Sequence, residues 1–130
     1  MPLMKPAKRP SDKAIELMLY IAYHGEKTGK LQSMTVVQKY VDFSRSSCEQ
    51  IMVELKKANL VVGRRGNDGG YSISRPAEEI TALDIKLALD PEPQSSDLLD
   101  GFLQRMHDFE RSVTLRMLMD EYEQYEGNQV

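Results

Sequence analysis

A mainly α-helical domain with one small β-hairpin and a long C-terminal helical segment follows from three features of this sequence. Apolar residues recur at helical spacing through most of the chain, as in Cys48, Ile51, Met52 and Leu55. Two short β-favouring runs, residues 60–63 and 71–74, flank the loop Arg64, Arg65, Gly66, Asn67, Asp68, Gly69 and Gly70. Glycine and short polar residues there allow the chain to reverse, which makes a hairpin. A break at Pro91, Pro93, Gln94 and Ser95 separates the hairpin-bearing part from a second amphipathic stretch.

Taken in order, residues 1–10 hold three prolines with Lys5, Lys8 and Arg9. They are expected as a basic disordered leader, the alternative being an arm that follows a phosphate backbone. Ser11 is placed as the cap of a helix over residues 12–24. His24 is then a cation at the helix C-terminus, ahead of a polar loop between Gly25 and Gly29. Ser33 starts a short helix to Val41 with Val36, Val37 and Tyr40 facing inward. Asp42 is expected to take the left-handed conformation in the turn that follows. Ser44 caps the next helix, since its hydroxyl can accept from an orphan first-turn N–H. After the hairpin, Thr81 and Asp84 form a near capping box for a helix to Leu89. Beyond the break, Leu98, Leu99, Phe102, Leu103, Met106, Phe109 and Val113 form a stripe at 3-4 spacing. Leu115, Met117, Leu118, Met119 and Tyr122 continue it after an interruption at residues 112–114. So long a stripe suits pairing with a second copy, with folding back on its own domain as the alternative. The organisation is therefore a leader over residues 1–10, a winged helix-turn-helix over residues 11–90 and a helical dimerisation arm over residues 97–125.

The net charge of −3 hides a division. Residues 1–75 carry 13 Lys and Arg against 7 Asp and Glu, whereas residues 76–130 carry 4 against 13. A basic front and acidic back suit a module whose one face neutralises phosphates. No run is long and apolar enough for a membrane span, and no signal peptide is legible, so a cytoplasmic location is expected. The single cysteine rules out a disulfide within the chain. No nucleophile–base pair, metal-ligand cluster or phosphate loop stands out, so no enzyme, metal or cofactor is expected.

The chain resembles the IscR/NsrR-type (Rrf2) winged helix-turn-helix transcription regulators. The resemblance rests on Ser44-Arg45-Ser46 with Glu49-Gln50-Ile51, then residues 55–61. It continues through Arg65-Gly66 with Gly69-Gly70-Tyr71 and residues 75–81. It implies a homodimeric, sequence-specific regulator, expected as a repressor, on a partly palindromic operator in double-stranded DNA. Ser46, Glu49 and Gln50 match base-contacting positions and Arg65 matches the wing-base arginine. Arg45, Ser47, Lys56 and Arg64 complete the expected DNA-binding set, with Lys56 and Arg64 read as phosphate contacts or simply solvated charge. The chemistry agrees, because glutamate accepts from cytosine, glutamine pairs with adenine and arginine enters a narrow minor groove.

Several positions depart from the family. Cluster-sensing members carry three cysteines before the long helix, where this chain has none, so no iron–sulfur cluster is expected. Asn67-Asp68 replaces proline and glycine in the wing, and Ser47 stands where tyrosine is frequent. Cys48 replaces a leucine; it is expected as a buried thiol, with a redox switch as the alternative. The rival to a DNA-binding regulator is a winged-helix module that reads a protein partner.

Overall fold

The computed structural model describes residues 8–90 and 97–127. Most of the leader, residues 1–7, and the break at Pro91, Pro93, Gln94 and Ser95 lie outside the described residues. Helix α1 (Pro10–Thr28) is the central element, with Ala14, Leu17, Met18, Ile21 and Ala22 buried. The helix-turn-helix follows as α2 (Met34–Val37), a 3-10 turn Gln38–Tyr40, and α3 (Arg45–Lys57). Strands β1 (Val61–Arg64) and β2 (Gly70–Ile73) pair antiparallel, Val61 opposite Ile73 and Arg64 opposite Gly70. The helices α4 (Ala82–Leu89), α5 (Asp97–Ser112) and α6 (Leu115–Gly127) complete the chain. One core joins α1 to Cys48, Ile51, Met52 and Leu55 of α3, Ile80, Ile85, and Leu115 and Met119 of α6. Each such side chain contributes roughly 1.5–3 kcal/mol by leaving water.

Local signals place several boundaries. Ser44 accepts from the Ser47 N–H at 3.1 Å and Ser33 from the Val36 N–H at 3.2 Å. At α4, Thr81 accepts from the Asp84 N–H at 3.1 Å while Asp84 accepts from the Thr81 N–H at 3.0 Å. The capping box is complete there, and Arg75 holds the Asp84 carboxylate at 3.1 Å.

Other expectations fail for identifiable reasons. Arg9 rather than Ser11 precedes α1; Asp12 accepts from its N–H at 3.2 Å, and Ser11 is buried inside the first turn. Asp42 is not left-handed. Among described non-glycine residues that conformation belongs to Asn59, φ 59°, where α3 hands the chain to β1. Helix α1 runs through Gly25 and stops only at left-handed Gly29, whose N–H donates to the Gly25 carbonyl at 2.8 Å. His24 is thus a helix-interior residue and not a terminal cation. Its ring stacks on Tyr40 at 4.0 Å with planes 17° apart, and Tyr23 and Tyr122 meet it edge-on. Tyr40 accordingly lies half-exposed over His24 rather than in the core.

The C-terminal stripe divides between two helices. Leu115 and Met119 of α6 are buried in the core, and Arg116 grips Glu26 at 2.7 Å and Glu78 at 2.6 Å. The α5 stripe stays largely uncovered, with Leu99, Phe102, Met106 and Phe109 exposed. The fold-back alternative therefore holds for α6, while α5 keeps an open apolar face.

Burial among the rings lowers the His24 imidazole from its ordinary 6.5, with Glu126 opposing. The unfolded chain then binds that proton more readily, so stability falls as pH drops through and below 6.5. His24→Phe keeps a flat ring against Tyr40 and should narrow the gap in urea midpoint between about pH 7.5 and about pH 5.5. An unchanged gap contradicts this role.

Candidate nucleic-acid interface

Helix α3 buries Cys48, Ile51, Met52 and Leu55 along one stripe. At about 100° per residue, the opposite face belongs to Ser46, Gln50, Val53 and Lys57. All four are exposed, Val53 by 49%. Arg45, Glu49 and Lys56 line one flank of that face and Ser47 and Glu54 the other. On the first flank, Arg45 donates to Glu49 at 3.1 Å and reaches the Thr35 hydroxyl of α2 at 3.5 Å. That bridge orients the Glu49 carboxylate and ties the two helices of the motif together. On the second flank, the Lys13 ammonium donates to the Ser47 hydroxyl at 3.3 Å and lies 5.3 Å from the centre of the Phe43 ring.

The hairpin is anchored where it meets the body. Gln32 and Tyr71 exchange backbone hydrogen bonds, Tyr71 N–H to the Gln32 carbonyl at 2.8 Å and the reverse at 3.0 Å. The buried Gln32 amide also donates to Thr28 and Lys30. Gly70 takes φ 150° directly against this segment, and a Cβ there would stand 2.6 Å from the Gln32 carbonyl carbon. Only glycine permits both that backbone angle and that approach. Arg64 and Arg65 are exposed beyond the anchor, as is Asp68. Lys56 connects the two parts, its ammonium lying beside Gly63 of β1.

The sequence-predicted residues fall into two exposed groups and one tethered residue. Arg45, Ser46, Glu49, Gln50 and Lys56 share the outward half of α3, and Arg64 and Arg65 share the hairpin. Ser47 is half-buried and faces α1 through Lys13. Three further residues were not singled out as site residues from sequence: Val53, Thr35 and Lys13. The apolar pattern places Val53 on a polar face, which is the signal that could have found it. The contacts of Thr35 and Lys13 depend on tertiary packing and leave no local trace.

The comparisons with known proteins fit this geometry. The model of the Rrf2 family, described as iron-dependent transcriptional regulator, matches residues 7–125. The chain belongs to the Rrf2 family. An HTH-type transcriptional regulator IscR of Cereibacter sphaeroides is 41% identical over 66 residues, 50% of this chain and 43% of that protein. The chain thus spans less than half the length of the first curated relatives it matches. The solved structure of T. potens IscR superposes with TM-score 0.79 at 21% identity, covering 93% of this chain and 90% of that one. The oxidised form of Staphylococcus aureus CymR gives TM-score 0.69 at 27% identity, covering 89% and 96%. The winged helix-turn-helix fold is that of this family.

The family description raises iron, and the residues present do not fit a cysteine-ligated cluster. The chain has a single cysteine, and Cys48 is wholly buried on the inner face of α3. No group of three His, Cys, Asp or Glu side chains with metal-holding geometry occurs among the described residues. Burial raises the Cys48 thiol above its ordinary value of 9.0, against the needs of a thiolate ligand or a fast redox switch. No described helix is long and apolar enough to cross a membrane.

Cys48 should therefore react with a thiol reagent far more slowly in the folded protein than in urea. Stoichiometric labelling at the denatured rate under native conditions contradicts its burial.

Proposed function

We propose that this protein is a homodimeric transcription regulator that binds double-stranded DNA, acts as a repressor and holds no iron–sulfur cluster. One observation carries the reading. The outward face of α3 presents Ser46, Gln50, Val53 and Lys57 to solvent, is flanked by Arg45, Glu49 and Lys56, and is adjoined by the exposed wing arginines Arg64 and Arg65. A helix of this kind fits the major groove, where its side chains meet base edges. Gln50 is suited to adenine. Glu49, oriented by Arg45, is suited to accept from cytosine. Lys56 and Arg64 neutralise phosphates and Arg65 enters the adjacent minor groove. Ser46 is short enough to let the groove edge approach α3, and Ser47 contributes through the Lys13 that it holds.

The domain division follows from the same reading. Residues 11–90 form the DNA-binding part and residues 97–125 the helical arm, with residues 1–10 as a basic leader. The exposed Leu99, Phe102, Met106 and Phe109 of α5 supply the apolar seam for a second copy, and two copies read a partly palindromic site. Two features oppose a cluster-sensing mode: the single cysteine and its burial. A protein with these properties works in the cytoplasm and needs no catalytic group.

Binding of the purified protein to duplexes selected from a random pool tests the reading. Glu49→Ala should relax preference at one base pair per half-site by about 1–3 kcal/mol. Lys56→Ala should instead weaken binding to every sequence and reduce the salt slope by about one. Absence of any preferred duplex refutes the reading and favours a module that reads a protein.

A further inference from the structure

Resting on the DNA-binding reading above, we infer that Val53 is a specificity residue that reads the methyl group of a thymine in the major groove. Val53 lies at the middle of the face opposite the buried stripe, with Gln50 one turn before it and Lys57 one turn after. Its side chain is 49% exposed, whereas the core-facing Met52 beside it is 1% exposed. Val53 stays outside the buried cluster, at the rim of a groove that it lines with Gln50, Ile51 and Leu89. A β-branched side chain has lower helix propensity than alanine, lysine or glutamate. A β-branched side chain in a helix also holds essentially one rotamer, so its two methyl groups stand in a fixed place.

The surroundings determine which chemistry such a group can meet. Ser46 and Gln50 on the same face are polar, and Lys56 and Lys57 lie beyond Val53 towards the helix end. Within a major groove the one methyl group on a base edge is the thymine C5-methyl, and the other bases are marked there by hydrogen-bond donors and acceptors. A rigid apolar knob set among polar readers therefore matches thymine and penalises cytosine, whose amino group would lose its water without a partner. The three-residue step from Gln50 to Val53 rises about 4.5 Å along the helix. That advance exceeds one base-pair rise of about 3.4 Å, which puts the thymine within two base pairs of the pair that Gln50 contacts.

Replacing each thymine of the selected duplex in turn by deoxyuridine removes only the methyl group and leaves pairing intact. Wild-type protein should lose about fourfold in affinity at one thymine per half-site, the worth of one buried methyl-sized group. It should lose almost nothing at the other thymines. Val53→Ser, which matches valine in helix propensity but carries a polar group, should bind the thymine and deoxyuridine duplexes equally at that position. The other positions should behave as in the wild type. A methyl effect that persists in Val53→Ser overturns the assignment, as does specific binding with no methyl-sensitive thymine near the Gln50 pair. Those outcomes leave the DNA-binding reading intact, whereas loss of every preferred duplex overturns both.

Discussion

Two backbone hydrogen bonds hold the C-terminal third in place and decide what the surface offers. The Leu115 N–H donates to the Ile80 carbonyl at 2.7 Å, and the Ala82 N–H donates to the Val113 carbonyl at 2.8 Å. This short bridge, centred on Thr81 and Thr114, sets the first turn of α6 beside the first turn of α4. Leu115 then reaches the core at 0% exposure, and Met119 follows one turn later. Arg116, raised further above its ordinary range by Glu26 and Glu78, secures the same junction across α1 and the turn before α4. Both carboxylates are held below their ordinary value chiefly by its hydrogen bonds. These groups are too exposed for the pairs to rival the buried side chains in free energy, so their main contribution is orientation.

That backbone bridge fixes the end of α5, which lies between α4 and α6 in the chain. Lys86 and Glu110, 2.8 Å apart and mostly buried, tie its far end to α4. Its other side keeps Phe102 61% and Phe109 70% exposed, more apolar surface than an isolated chain gains by showing to water. In the proposed dimer this is the seam, and the Lys86–Glu110 pair connects the helix that carries it to α4. The spacing of two recognition helices would then follow from how α5 meets its copy.

Much of this was legible where the cause is local. Ser33, Ser44 and Thr81 mark helix starts because a side chain within three residues supplies the missing acceptor, and such signals do not depend on the rest of the fold. The hairpin was legible for a similar reason, although each strand sits one residue away from its expected place. The division of the C-terminal stripe was not legible. Leu115 and Met119 have the same periodic signature as Leu99 and Phe102, and only the bridge to residues 80–82 separates core from open face. Nor was the extension of α1 past Gly25. A glycine there costs the helix about 1 kcal/mol, which packing of His24 among four tyrosine rings offsets. At the candidate interface, residue types and helical face were readable, but the Arg45–Glu49–Thr35 bridge and the Lys13 tether of Ser47 were not. They join residues whose separation in sequence carries no pattern.

In the proposed complex α3 and the wing meet DNA, while α6 belongs to the core. Amide hydrogen exchange with and without the selected duplex tests that division directly. It predicts added protection across residues 45–57 and 64–70, with residues 115–127 unchanged. Protection gained in residues 115–127 while residues 45–57 exchange as before would contradict it.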